Sequence, residues 1–219
     1  VEQFLEVFTK YNETVFPMQI VFYLAGILML YLAVKPGFKS DRIINSILAF
    51  LWLWMGMVYH LFFFTAINKA AYVFGAAFIG QGILFLMLGV LKDKLAFKFR
   101  PDWYGITGII LILFTLVVYP MIGYVLDHRY PLSPTFGLPC PTTIFTFGLL
   151  LLMDKKCPVV ILIIPFIWSI IGFTAAFQFG IIEDTGLLVS GLLTISMLLF
   201  RNRNITKATP LNTHSLKLS

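Results

Sequence analysis

Seven long apolar runs, separated by short polar connections, dominate the pattern of this 219-residue chain. The runs cover approximately residues 15–34, 43–64, 71–91, 105–126, 138–153, 159–180 and 184–200. A helix of about 20 apolar residues crosses a hydrocarbon core roughly 30 Å thick and pairs its backbone polar groups within itself. The pattern therefore predicts an all-α fold, a polytopic transmembrane bundle of seven helices.

The fifth run is the weakest of the seven. Its uninterrupted apolar stretch, from Ile144 to Met153, is short, and Pro139 and Pro141 precede it. Proline is tolerated in the first turn of a helix but not in its interior. We therefore expect an extended entry, a helix that begins near Thr142, and a fifth span that is short or broken.

Glycine recurs every seven residues on the third run, at Gly75, Gly82 and Gly89. In lipid, helices associate by close approach of their backbones, because no hydrophobic effect drives them together. The spacing predicts that these glycines lie at a helix–helix contact.

The connections between the runs alternate in charge. All but three of the 16 Lys and Arg residues lie in every second connection or after the last run, the exceptions being Lys10, Lys69 and Arg129. Because basic connections stay on the cytoplasmic side during insertion, the N-terminus is predicted outside and the C-terminus inside. The net charge of +6 then describes a basic rim facing anionic lipid. The lipid bilayer is thus an expected partner, and nucleic acid is not.

The two ends of the chain differ from the runs between them. Residues 1–14 carry apolar side chains at helical spacing, namely Phe4, Leu5, Phe8 and Tyr11. This spacing predicts a short amphipathic helix in the outer interface. Residues 15–203 form the predicted seven-helix transmembrane domain. Residues 204–219 are polar and lack apolar periodicity, so we expect a disordered cytoplasmic tail.

Polar residues that packing does not require concentrate near the predicted outer ends of the helices, with Gln81 deeper in its run. They are Tyr59, His60, Asn68, Gln81, Asp127, His128, Arg129, Tyr130, Thr135, Cys140, Thr142, Thr143, Gln178, Glu183 and Asp184. Four separate segments thus bring side chains to one depth, which predicts a vestibule on the extracytoplasmic side that binds a small molecule or ion. The inner connections are interpreted as Lys-rich connectors that add nothing comparable.

Three of these residues suggest a metal site. Cys140 lies between two prolines at a helix start, where a thiol can be a soft-metal ligand or a nucleophile. His60 and His128 lie at the same predicted depth and suit a haem iron or another metal ion. The alternatives are a small residue in a rigid turn and histidines that only form hydrogen bonds at helix ends. Cys157 lies at the opposite face, so the two thiols cannot form a disulfide.

Several membrane functions are disfavoured by what the runs lack. No Asp, Glu, Lys or Arg lies in the middle of any run. This argues against a proton pump with a buried carboxylate relay and against a voltage sensor. The seventh run carries no lysine, so retinal is not an expected cofactor.

The stretches from Tyr59 to Asn68 and from His128 to Gly148 resemble a bacterial seven-span membrane family known as a domain of unknown function. The resemblance covers nearly the whole chain. It implies a small integral membrane protein, located in the bacterial cytoplasmic membrane, and it implies no activity.

Three classes of function are compatible with the sequence. The first is transport or permeation of a small solute or metal ion, which requires a polar path past Gln81. The second is a membrane-embedded enzyme or a haem or metal redox protein that uses His60, His128 and Cys140. The third is a non-catalytic ligand-binding or assembly subunit, in which the vestibule binds without chemistry.

Overall fold

The computed structural model describes residues 2–179, 181 and 184–208, which form helices and the loops that join them. The α-helices are α1 (Glu2–Val15), α2 (Met18–Val34), α3 (Ser40–Trp54), α4 (Ala71–Phe85), α5 (Trp103–Leu113), α6 (Tyr119–Val125), α7 (Pro139–Leu151), α8 (Val160–Phe179) and α9 (Thr185–Ala208). Three of them continue into π-helical segments, Met55–Phe63 after α3, Leu86–Leu91 after α4 and Phe114–Val118 after α5. A short 3-10 turn, Phe64–Ala66, follows the first of these.

Five of the described helices are long and apolar enough to cross a membrane: Ser40–Ala66, Ala71–Leu91, Trp103–Val125, Val160–Gln178 and Thr185–Thr206. A sixth is obtained if α1 and α2, which meet at an angle of 86°, are counted as one span. The fold is therefore helical with five or six candidate spans. The predicted count of seven requires that α2, with 17 residues, and α7, with 13, are each inserted as well.

The amphipathic segment at the start of the chain is a helix, α1, that packs against the bundle through its apolar face. Val7, Phe8 and Tyr11 on this face are buried. The Tyr11 ring meets Tyr59 and Phe63 edge-on at centroid distances of 5.5 and 5.4 Å. The Trp54 indole donates to the Tyr11 hydroxyl at 2.9 Å. These contacts attach α1 to the far end of the helix that begins at Ser40.

The helix α7 lies at the centre of the bundle. Every residue of α7 except the partly exposed Cys140 is buried. A helix that is apolar on all sides is expected only where protein surrounds it. The helix begins at Pro139, not near Thr142 as the sequence suggested, because both prolines fit in the first turn and Leu138 supplies an extended N-cap.

The glycine spacing on the third run marks a close helix contact, as predicted. A Cβ atom at Gly75 would lie 3.1 Å from the carbonyl oxygen of Gly56, and one at Gly82 would lie 3.0 Å from that of Ala49. A Cβ atom at Gly89 would lie 2.1 Å from the Asn45 side chain. The helices Ser40–Ala66 and Ala71–Leu91 therefore pack backbone to backbone along their length.

The loops rich in Lys and Arg meet at one end of the bundle, hereafter the basic end, formed by residues 35–39, 92–102 and 154–159. The Phe99 amide donates to the Ala33 carbonyl at 2.8 Å, and the Asp154 amide donates to that of Ala96 at 2.9 Å. Leu95 and Phe97 are buried beneath this layer. These Lys-rich connectors also have a packing role, because their apolar residues fold back and cover the end of the core.

Two side chains of α9 complete the basic end. The buried Arg201 guanidinium donates to the carbonyls of Leu151, Met153 and Lys155 at 3.4, 3.0 and 3.3 Å. The Asn202 amide accepts from the Cys157 backbone N–H at 3.1 Å and donates to its carbonyl at 2.7 Å. Burial raises the pKa of the Cys157 thiol to about 12, although Arg201 opposes the shift. The thiol is thus a protonated packing residue.

The predicted start of the tail, at residue 204, lies inside helix α9. Helix α9 continues to Ala208, and the Lys156 ammonium donates to the Thr206 hydroxyl at 3.0 Å. A contact to the neighbouring loop therefore supports a further turn that the polar composition did not suggest. Residues 209–219 lie outside the described part of the chain.

Candidate ligand-binding cavity

A cavity of about 310 Å³ lies at the end of the bundle opposite the basic end. Its wall comes from α1, from the segment that follows α3, from α4 and α8, and from the chain that enters α7. Asn68 and Gln178, two exposed lining residues, mark its opening to the surface. The cavity therefore forms where segments distant in sequence end at the same depth.

Part of the wall is aromatic. Six rings line it: Phe4, Phe8, Tyr59, Phe64, Phe74 and Trp168. Phe4 meets Phe64 edge-on at 5.8 Å, Tyr59 stacks on Phe64 at 5.7 Å, and Phe74 meets Trp168 edge-on at 5.4 Å between centroids. Rings that contact one another in this way leave a preformed apolar space rather than a flexible gap.

Asp184 is the one Asp, Glu, Lys, Arg or His among the described residues that line the cavity. Its side chain is 2% exposed. The Tyr119 hydroxyl donates a hydrogen bond to its Oδ1 atom. When it is ionised, this carboxyl group places a negative charge in the apolar wall that little water screens.

Trp168 lines the same cavity, and the Nε1 atom of its indole is buried at the wall. Trp168 is 8% exposed, and its Nε1 atom has no hydrogen-bond partner in the described part of the structure. A Cβ atom at Gly172 would lie 3.6 Å from this Nε1 and 3.5 Å from Cys140 Sγ. Buried Trp N–H groups normally find an acceptor. The sequence analysis missed Trp168, although an indole N–H within an apolar run was a usable signal.

Five residues of the predicted vestibule line this cavity: Tyr59, Asn68, Cys140, Gln178 and Asp184. Glu183 lies outside the described residues. The other predicted residues that the structure describes do not line this cavity. The predicted convergence at one end is thus seen for part of the set only.

The imidazole of His60 lies behind the cavity wall and is fully buried among aromatic rings. The nearest centroids belong to Phe78 at 4.6 Å and to Trp168 and Tyr59 at 5.2 Å each. Neither ring nitrogen has a hydrogen-bond partner within the described residues. The arrangement suits a neutral imidazole packed as part of the aromatic core.

The segment from Asp127 to Tyr130 runs along the surface instead of lining the cavity. Asp127 pairs with Arg129 at 3.4 Å with both side chains exposed, and the Arg129 guanidinium lies over the Tyr124 ring at 4.7 Å. His128 is partly exposed. Exposed ion pairs of this kind contribute little to stability.

Three further predicted residues form hydrogen bonds within the bundle instead of lining the cavity. The Thr142 hydroxyl accepts from the Gly137 N–H at 3.0 Å, and the Thr143 hydroxyl donates to the Pro139 carbonyl at 2.7 Å. The Gln81 amide donates to the Ile161 carbonyl at 3.0 Å, which joins α4 to α8. Each bond satisfies a polar group that lipid or apolar protein would leave unpaired.

The described residues contain no group of three or more His, Cys, Asp or Glu side chains that could hold a metal ion. Of the three predicted ligands, Cys140 lines the cavity, whereas His60 and His128 do not. Assignment of His60, His128 and Cys140 as metal ligands stays a prediction.

Asn12 is a site residue that the sequence analysis did not select. This buried amide donates to the carbonyls of Pro131 and Ser133 at 2.7 and 2.8 Å. The side-chain oxygen of Asn12 accepts from the Thr135 hydroxyl at 2.9 Å, and its backbone carbonyl accepts from the Tyr130 hydroxyl at 3.1 Å. Asn12 therefore fixes the loop before α7 to α1, which carries two of the rings in the cavity wall.

Replacing Asn12 by alanine is expected to lower the free energy of unfolding by about 2 kcal/mol, because two partly buried carbonyls lose the donor that the buried amide supplies. The measurement is the midpoint of thermal unfolding in lipid nanodiscs. Glu13→Ala, at the neighbouring exposed position, is the control and should leave the midpoint unchanged. Equal midpoints for the two variants would show that the amide is dispensable.

Comparison with known proteins gives a family and no activity. No curated protein matches the chain, and no solved structure matches it. The model of a family of unknown function, DUF6064, matches residues 1–209. The match covers nearly the whole sequence, and the chain therefore belongs to the DUF6064 family.

Proposed function

We propose that this chain is a non-catalytic ligand-binding membrane protein whose aromatic cavity holds a small, largely apolar molecule. One observation carries the proposal. Six rings from separate segments line a cavity of about 310 Å³. One of them, Trp168, has an indole N–H without an acceptor among the described residues. Ligand sites are typically clefts of roughly 300 to 1,000 Å³ with mostly apolar walls and a few placed polar groups.

In this proposal the cavity opens on the extracytoplasmic side of a bacterial cytoplasmic membrane, with the N-terminus outside and the C-terminus inside. The support is the separation of charge: the basic loops are bonded to one another at the end away from the cavity. All seven apolar helices are inserted, including α2 and the short α7. Burial of α7 by protein on every side makes its incomplete length acceptable in lipid.

Transport or permeation of a small solute or metal ion is the second candidate. It is favoured by α7, a 13-residue buried helix whose predecessor, Pro131 to Leu138, is not helical. Discontinuous helices of this kind form the substrate sites of many transporters. Gln81 is buried and bonded to Ile161, so a path past this depth requires a second conformation.

The binding proposal is tested with the full chain in nanodiscs and three phenyl compounds of similar size. They are 3,3-dimethylbutyl benzoate, which is neutral, benzoylcholine, which is cationic, and 4-phenylbutyrate, which is anionic. We expect at least one to bind saturably by calorimetry. Ala175→Phe should abolish that binding, because Ala175 lines the cavity and a phenyl ring there occupies it.

The matched control is Ala76→Phe, an exposed position of α4 that does not line the cavity. It adds the same ring and should retain binding. Saturable binding that survives Ala175→Phe would place the ligand elsewhere and refute the proposal. Absence of binding by all three compounds would refute it as well.

A further inference from the structure

We infer that the cavity selects an organic cation that also carries a hydrogen-bond acceptor, an inference that rests on the proposed ligand-binding function. The class of ligand follows from three features of the wall: its rings, its one charged side chain and its unpaired donor.

The first feature is the set of aromatic rings in the wall. The faces of Trp, Tyr and Phe attract ammonium groups, and the attraction grows when water is excluded. Sets of such rings are the common way in which proteins recognise quaternary ammonium compounds. Here the rings of Phe4, Phe8, Tyr59, Phe64 and Trp168 come from three separate parts of the chain and share one space.

The second feature is an acidic side chain, that of Asp184. Asp184 is buried, and no Lys, Arg or His lies among the described residues that line the cavity. The nearest full charge that a ligand meets there is therefore a carboxylate. An anionic ligand would be repelled by it, whereas a cation would gain both this charge and the ring faces.

The unpaired donor adds a requirement for an acceptor. The Trp168 Nε1–H lies beside Gly172 and Cys140 and has no acceptor among the described residues. A buried donor left without a partner is unfavourable, and a ligand oxygen at this point would relieve that. An ester, ether or carbonyl oxygen close to the cationic group satisfies this condition.

The test compares matched ligands on the wild-type protein in nanodiscs. Benzoylcholine carries the cation and the ester; 3,3-dimethylbutyl benzoate has the same shape with carbon in place of nitrogen. We expect benzoylcholine to bind at least about tenfold more tightly, from the ring faces and the carboxylate together. Trimethyl(4-phenylbutyl)ammonium, a cation without the ester, should bind less tightly than benzoylcholine.

Two variants assign the preference to residues. Asp184→Asn should lower the ratio of the two benzoate affinities and leave only the part that the rings supply, and Trp168→Phe should weaken benzoylcholine more than it weakens the ester-free cation. Equal wild-type affinities for the cation and its carbon analogue would overturn the cation inference, even if either variant failed to fold. In that case binding that Ala175→Phe still abolishes would leave the proposed function standing, whereas binding that it does not abolish would remove both.

Discussion

Replacing Arg201 by methionine is expected to lower the free energy of unfolding by about 3 kcal/mol. The guanidinium donates to three carbonyls at and after the C-terminus of α7, those of Leu151, Met153 and Lys155. Helix ends leave carbonyls without intrahelical partners, and two of these three belong to the buried residues Leu151 and Met153. Methionine fills a similar volume but offers no donor, so the carbonyls of Leu151 and Lys155 lose this bond without a large cavity. The Met153 carbonyl keeps the bond that Arg100 donates at 2.8 Å.

The measurement is thermal or denaturant unfolding of the full chain in nanodiscs, with Arg203→Met as the matched control. Arg203 lies two residues further along α9 and is exposed, so its removal should change stability by less than about 0.5 kcal/mol. If both arginine variants unfold at the wild-type midpoint, the bonds to the end of α7 do not contribute to stability. A selective loss for Arg201 would show that they do.

Replacing Gly148 by alanine is expected to destabilise the protein by about 2 to 3 kcal/mol, against the usual preference of helices for alanine. Gly148 of α7 and Gly108 of α5 face each other. A Cβ atom at Gly148 would lie 2.8 Å from the Gly108 carbonyl oxygen and 2.7 Å from an Ile112 side-chain carbon. Because the first of these contacts is backbone, the two helices must move apart to admit the methyl group.

Gly80→Ala supplies the matched control on α4. A Cβ atom there meets nothing within 4 Å, so the substitution should be neutral or stabilising by up to about 1 kcal/mol through helix propensity. The two substitutions should change the free energy of unfolding in opposite directions, downward for Gly148→Ala and not downward for Gly80→Ala. Stabilisation by both alanines would mean that α5 and α7 are not packed backbone to backbone.

The two ends of α7 thus have separate roles. Its C-terminus is fixed by Arg201 at the basic end, and its N-terminus contributes Pro139, Cys140 and Pro141 to the cavity wall. The stability variants can therefore be made at one end and at the centre without altering the lining residues at the other. This separation allows binding and folding to be measured independently.

The order of apolar runs and the alternation of charge could be predicted because both are local properties of the chain. Any run of this length and composition favours lipid or protein over water, whatever it later packs against. The glycines of the third run could also be predicted as a contact, since their seven-residue spacing places them on one face. These features hold for each segment before the segments meet.

The composition of the cavity wall could not be predicted in the same way. Helices α4 and α8 are apolar on nearly every face, so the sequence gives no signal for which side faces a neighbour. His60 was therefore predicted in the vestibule, whereas the structure packs it behind the wall. Trp168, which lines the cavity, was not predicted. The same uniformity concealed the apolar cover formed by Leu95 and Phe97 at the basic end.

The sequence by itself determined that this chain is helical, that its helices suit a membrane, and that its basic loops alternate. The tertiary structure decided which side chains meet: Asn12 bonds to Pro131, 119 positions away, and Arg201 bonds to Leu151, 50 positions away. Local pattern records how much each segment avoids water, whereas a cavity depends on the rotation and depth of several helices at once. Those are set only when the helices pack together.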